Sequence, residues 1–310
     1  MIEIKTILCP IDFSEHSRRA LDHAVTIARW YKSTITVLHV CPTVPPAAFG
    51  LESPPGGAVL TPADRERLMT AMARFIEASN APEIPMEIVI GQSSATASEI
   101  LKEASAMRAD LLVIGTHGRS GFDRLVLGSV TEKVLRKASC PVLTVPAHAP
   151  ETIPVTPVLF KRILCPIDFS DSSILALNYA MSLAQEADAR LTVLHVMQYD
   201  LEVEAPEMYE TVIADRRLSV TDYRNRCEQY SQERLRTAVP DTVRAYCTVE
   251  TMLATGKPHR EILRVATEQQ ADLIVMGVQG RSAVDLTIFG STTQHVVRQA
   301  TCPVLTIRKG

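Results

Sequence analysis

No apolar run in this chain approaches the roughly 20 residues that a membrane span needs. No signal-peptide pattern opens it either: Met1 to Pro10 has no long apolar region, and Asp12, Glu15 and several arginines follow at once. A cytoplasmic location without a membrane partner is the expectation. The spacing C-x-x-C is missing among the seven cysteines, which argues against a zinc site or a dithiol motif. An excess of one charge is missing too. With 32 Lys+Arg against 35 Asp+Glu the net charge is −3, which gives no support to a basic nucleic-acid surface. Neither G-x-x-x-x-G-K-[ST] nor a dinucleotide fingerprint after the first strand occurs.

What the chain does have, it has twice. Lys5 to Ser14 reads K-T-I-L-C-P-I-D-F-S and Lys161 to Ser170 reads K-R-I-L-C-P-I-D-F-S. T-V-L-H-V recurs at Thr36–Val40 and Thr192–Val196, and A-S-C-P-V-L-T-V (138–145) recurs as A-T-C-P-V-L-T-I (300–307). A repeat of this length is too long for a solenoid unit, so it is a duplicated domain. The expected division is a first domain over 1–148, a linker over 149–159 and a second domain over 160–310. The linker region carries Pro146, Pro150, Pro154 and Pro157, and prolines make it extended and semi-stiff.

Within the first copy, apolar runs predict strands near Thr6–Cys9, Thr34–His39, Met86–Ile90, Asp110–Gly115 and Val142–Val145. Helical periodicity fills the gaps at about 16–31, 62–79, 97–107 and 129–138. Leu21, Ala24, Val25 and Ala28 share one face of the first helix, with Ser14 placed to cap it. The twin has Leu177, Ala180, Met181 and Ala184, with Ser170 as cap. Almost uninterrupted apolar strands alternating with helices predict an α/β fold: two tandem doubly wound domains, each a five-stranded, mostly parallel sheet with helices on both faces. Such sheets bind ligands beyond the carboxyl ends of their strands. The Pro42–Pro62 stretch is the one long irregular loop, a mobile segment or a lid. Four cysteines (Cys9, Cys165, Cys140, Cys302) match between copies and read as small core residues; Cys41, in the proline-rich loop, is expected to be the most exposed.

The segments 115–129 and 277–291 share a rarer spacing: Gly, two residues, Gly, nine residues, Gly, then a hydroxyl residue. They read G-T-H-G-R-S-G-F-D-R-L-V-L-G-S and G-V-Q-G-R-S-A-V-D-L-T-I-F-G-S. A strand feeding a glycine-rich loop that ends on a helix start presents backbone N–H groups where a phosphate can sit. Two such loops point to two nucleotide sites.

Together these elements resemble the universal stress protein family in its tandem form, over nearly the whole chain. The glycine spacing resembles the family's ATP-binding branch, whose fold is of the adenine nucleotide alpha hydrolase type. The resemblance implies ATP, with or without Mg²⁺, as ligand. It places Asp12 and the backbone of Val40 at the nucleoside end, and Gly115, Gly118, Arg119, Gly128, Ser129 and Val130 around ribose and phosphates. In the second copy the corresponding residues are Asp168, Val196, Gly277, Gly280, Arg281, Gly290, Ser291 and Thr292. It also implies that the final strands, Val142–Val145 and Val304–Ile307, pair the two copies within one chain; association of whole chains stays open.

Each residue has a plainer reading beside the functional one. The glycines can serve chain geometry alone, Asp12 can be a turn residue, and Ser129 and Ser291 can be helix caps. Asp123 and Asp285 can reach Mg²⁺ or be solvated loop carboxylates. His39 and His195 read as structural. The copies also differ: Arg124 is matched by Leu286, His117 by Gln279 and Gly121 by Ala283, which favours tighter triphosphate binding in the first. With no phosphate-loop lysine in view, any hydrolysis is expected to be slow. The function implied is an ATP-binding regulatory protein of the stress response, with occupancy setting conformation or partners; a slow ATPase and a nucleotide-independent chaperone-like scaffold are the alternatives.

Overall fold

A computed structural model of the 310-residue chain describes residues 2–43, 60–117, 127–146, 160–198, 220–245, 247–279 and 289–308. The chain divides into two compact units, within residues 3–158 and 159–309. The described elements of the first are β1 (Thr6–Pro10), α1 (Glu15–Tyr31), β2 (Thr34–Cys41), α2 (Pro62–Glu77), β3 (Met86–Gln92), α3 (Thr96–Ala106), β4 (Leu111–Gly115), α4 (Ser129–Lys137) and β5 (Val142–Val145). Its strands lie in the order β3-β2-β1-β4-β5, with every neighbour parallel. The predicted elements agree with these bounds to within one or two residues.

The second unit repeats the plan with β6 (Arg162–Pro166), α5 (Asp171–Ala187), β7 (Arg190–Met197), α6 (Val220–Ala238), α7 (Asp241–Arg244), β8 (Val249–Thr255), α8 (Pro258–Glu268), β9 (Leu273–Gly277), α9 (Ser291–Gln299) and β10 (Val304–Ile307). Its order is β8-β7-β6-β9-β10, again parallel throughout. The order reverses between β1 and β4 in the first unit and between β6 and β9 in the second. A crevice opens there, where successive loops leave the sheet in opposite directions.

Central strands read as unbroken apolar runs because helices cover both faces. Ile7, Leu8 and Cys9 of β1 and Ile163, Leu164 and Cys165 of β6 are sealed from solvent. The α1 face predicted to be apolar is buried at Leu21, Ala24, Val25 and Ala28. Its α5 counterpart is buried at Leu177, Ala180 and Ala184, while Met181 is only partly covered. Ser14 and Ser170 cap these helices, accepting from the N–H groups of Ser17 (3.2 Å) and Ser173 (3.4 Å).

Burial settles the cysteines. All seven are free thiols. Loss of solvation pushes Cys9 and Cys302 up to about 12 and Cys140 to about 11, and raises Cys165 as well. Thiolate is therefore scarce at neutral pH and these sulfurs act as core filler. Cys41 is a correction to the sequence reading. It is the last residue of β2, aligned with Gln92 of β3, and is buried rather than exposed. The irregular stretch after it falls mostly in residues 44–59, outside the described residues.

One pair of carboxylates ties each sheet together at the edge opposite the crevice. Asp110 accepts from the N–H groups of Lys5 (2.8 Å) and Thr6 (2.9 Å) and from the Thr6 hydroxyl (3.0 Å). Asp272 does the same for Lys161 and Arg162, each at 2.9 Å. Each carboxylate thus clamps the start of β4 or β9 onto the start of β1 or β6. Replacing Asp110 by alanine removes three acceptor contacts at a half-exposed position and is expected to cost about 1–2 kcal/mol in urea unfolding.

Candidate functional site

The turn leaving β1 is built the same way in both copies. Asp12 Oδ1 accepts from the Ser14 N–H (3.0 Å) and hydroxyl (2.5 Å), and Asp168 Oδ1 from those of Ser170 (3.0 and 2.6 Å). The residue between, Phe13 or Phe169, adopts φ 63°. A phenylalanine in the left-handed region costs about 1–2 kcal/mol, so the surroundings must enforce it. They do: each ring packs on the histidine of T-V-L-H-V, His39 or His195, with centroids 4.7 Å apart in both copies. His39 Nδ1 meets the Ile11 carbonyl oxygen at 2.9 Å, and His195 Nδ1 that of Ile167 at 2.8 Å. These histidines hold the turn, in line with their structural reading. Asp12 and Asp168 are turn residues as well. A carboxylate offers about four acceptor positions in all, so a turn role and a ligand contact are not mutually exclusive.

Strand register brings Val40 to the same edge. The Ile11 N–H donates to the Leu38 carbonyl (2.8 Å), and β1 has ended at Pro10, aligned with Leu38. Backbone groups two residues apart on a strand face the same neighbour. Those of Val40 therefore face the side that β1 has just vacated. Val196 stands likewise, because Ile167 N–H donates to the Leu194 carbonyl (2.8 Å). Both side chains are buried, so only the main chain of either is on offer.

The described glycines have a reason of their own. A Cβ on Gly115 would lie 3.2 Å from the His16 carbonyl oxygen, and one on Gly277 only 2.7 Å from Ser172 Oγ and 2.8 Å from its carbonyl carbon. On Gly128 it would lie 3.0 Å from the Thr116 oxygen and on Gly290 2.8 Å from that of Val278. Helix-start backbone and strand-end carbonyls thus fill the space that a side chain would need. Packing disfavours a side chain at Gly277 and Gly290 whether or not a ligand binds, and leaves Gly115 and Gly128 tight but tolerant of a small shift. Gly118, Arg119, Gly121, Asp123 and Arg124 lie outside the described residues, as do Gly280, Arg281, Ala283, Asp285 and Leu286.

Ser129 and Ser291 are not caps. The N-cap positions of α4 and α9 are Gly128 and Gly290, and no side chain caps either helix. The first intrahelical bonds run from Glu132 to Gly128 and from Gln294 to Gly290, each 2.9 Å. The N–H groups of the first turn, including Ser129 and Val130, or Ser291 and Thr292, precede that ladder and point along the axis toward the crevice. Both serines are exposed. Residues missed in the sequence anchor each helix: Thr131 donates to the Gly115 carbonyl (2.8 Å) and Thr293 to that of Gly277 (3.0 Å). The signal was present as G-S-V-T and G-S-T-T.

At the crevice mouth the copies part. In the first, the His16 and His117 rings stand 6.0 Å apart, and Thr116 Oγ1 holds His117 Nδ1 at 2.9 Å. In the second, Ser172 Oγ donates to the Gln279 main-chain oxygen and closes the same place directly. Cationic side chains flank each turn on an aromatic ring: Arg18 lies 3.6 Å over Phe75, and Arg234 4.0 Å over Phe169. Among the described residues no group of three or more His, Cys, Asp or Glu could hold a metal ion, and no helix is long and apolar enough to cross a membrane.

The whole plan appears in known proteins. The model of the universal stress protein family matches twice, at residues 3–146 and 159–308. The chain belongs to the universal stress protein family. Single-domain members align with half of it: YxiE of Bacillus subtilis is 33% identical over 150 residues, 48% of this chain and 100% of that protein. A member from Thermus aquaticus is 35% identical over 151 residues, 48% and 100% respectively. The crystal structure of a universal stress protein from Archaeoglobus fulgidus covers 100% of both chains with a TM-score of 0.65 at 24% identity, a likeness of fold.

Proposed function

We propose that each domain binds an adenine nucleotide, ATP foremost, in the crevice where its strand order reverses, and that occupancy biases the protein's conformation or partners in a stress response. The observation that carries the reading is the convergence, in both copies, of an uncapped helix start (α4 or α9), the D-F-S turn and the outward-facing backbone of Val40 or Val196. The helix start suits phosphate, because its N–H groups and dipole favour an anion. The carboxylate and the strand backbone suit the base and ribose. In sequence, Arg119 and Arg281 follow the second glycine of each glycine-rich segment and could add positive charge for the phosphates, and Arg124, without a basic counterpart, favours the first copy. Occupancy can act only through unequal affinity for two states. The residue set offers no phosphate-loop lysine, so hydrolysis by this chain is proposed to be slow at most.

Asp12→Asn and Asp168→Asn test the reading, because an amide oxygen can keep the turn while the charge is lost. Each is expected to weaken ATP binding at its own site about tenfold, or about 1.4 kcal/mol, by calorimetry with Mg²⁺ present. One observation favours a second reading, a scaffold without nucleotide: packing alone accounts for Gly277 and Gly290. No binding heat in the wild type at millimolar ATP would favour that scaffold.

A further inference from the structure

We infer that His16 and His117 form a binding site for a divalent transition-metal ion, of the Zn²⁺ type, at the crevice mouth of the first copy only. The two imidazoles come from separate elements, the first turn of α1 and the residue two beyond β4, and face each other with centroids 6.0 Å apart and planes at 57°. Two imidazoles on one tetrahedral ion, with nitrogen–metal bonds of about 2.0–2.1 Å, place their centroids about 5 Å apart. Side-chain rotation of about 1 Å closes the difference.

One ring nitrogen of His117 is already engaged, as the outer nitrogen of a ligand would be. Its Nδ1 is held by the Thr116 hydroxyl at 2.9 Å, and a metal-bound histidine usually ties its second ring nitrogen to a neighbour in this way. Its Nε2 is sealed from solvent without a hydrogen-bond partner, a position that costs free energy until something coordinates or bonds it. Imidazole nitrogen selects zinc, copper, nickel or iron over magnesium. The close fit of Gly115 against the His16 backbone fixes the distance between the two elements that carry the rings.

The second copy supplies the contrast. There the equivalent residues are Ser172 and Gln279, joined by a direct hydrogen bond, with no imidazole to offer. Another histidine pair, His259 and His295, stacks at 4.5 Å with planes only 23° apart. Lys257 and Arg260 lie close enough to lower the His259 pKa, after loss of solvation and the charge of His295. Near-parallel rings among cations suit a metal poorly, so this pair serves as the control.

The test uses the full chain without nucleotide, so that its result is independent of ATP binding. Zn²⁺ is titrated by competition with a chromophoric chelator, and Co²⁺ by its visible absorption. His16→Ser and His117→Gln each install the residue that the other copy tolerates at that place, and His259→Ala is the control. The wild type is expected to hold one Zn²⁺ most tightly. Both first-copy variants should weaken that site at least about tenfold and lose the Co²⁺ absorption, whereas His259→Ala keeps both. Zn²⁺ affinity unchanged in His16→Ser and His117→Gln, or abolished instead by His259→Ala, overturns the assignment. ATP binding by a chain that ignores Zn²⁺ would leave the nucleotide reading standing and remove only this one.

Discussion

Gly277→Ala is expected to destabilise the chain by about 3 kcal/mol, and Gly115→Ala by about 1 kcal/mol, in urea unfolding. The added carbon at Gly277 would sit 2.7 Å from Ser172 Oγ and 2.8–3.0 Å from its carbonyl atoms. The Ser172 hydroxyl is already committed to the Gln279 oxygen, and its backbone belongs to the first turn of α5, which packs on β6, β7, β9 and β10. Relief therefore requires the helix to move as a body. At Gly115 the nearest atoms, all from His16, are 3.2–3.3 Å away, a crowding that a shift of a few tenths of an ångström absorbs. A neutral Gly277→Ala would show that packing is not why that glycine is there.

Acidification is expected to remove up to about 3 kcal/mol of stability through one buried histidine. His23, on the inner side of α1, is 7% exposed and its Nδ1 meets the Arg19 carbonyl oxygen at 2.7 Å. Loss of solvation lowers it from 6.5 to about 4, against the opposing effect of that hydrogen bond. The folded state thus keeps His23 neutral while the unfolded chain protonates it. Between pH 6.5 and pH 4 the unfolded state binds the extra proton, so stability is complete above 6.5 and falls as the pH drops toward 4. At about 1.36 kcal/mol per pH unit the loss amounts to about 3 kcal/mol. His23→Gln should flatten that part of the pH profile, whatever it does to stability at pH 7.5. A variant that retains the full slope would assign the effect to other groups.

The duplication, the alternation of strands and helices and the element bounds were legible because they rest on local signals: apolar period, capping serines and decapeptides that differ at one position, Thr6 against Arg162. Contacts distant along the chain were not. That Gly277 meets Ser172, over a hundred residues away, cannot be read from spacing, so the sequence left chain geometry and phosphate binding side by side as reasons for the glycine. Cys41 was misjudged because the prolines after it suggested a loop, while β2 runs on to pair with Gln92. Comparing the two glycine loops exposed the change from His117 to Gln279. The matching change from His16 to Ser172 sits on another element, and only the fold sets the two side by side.

Both domains are proposed to hold nucleotide at their strand-order reversals. The most direct measurement is the number of ATP molecules bound per chain at equilibrium, with Mg²⁺, in the wild type and in the Asp12→Asn and Asp168→Asn variants. Two per chain are expected, with each variant weakening one site and leaving the other. No uptake at millimolar ATP would contradict the proposal.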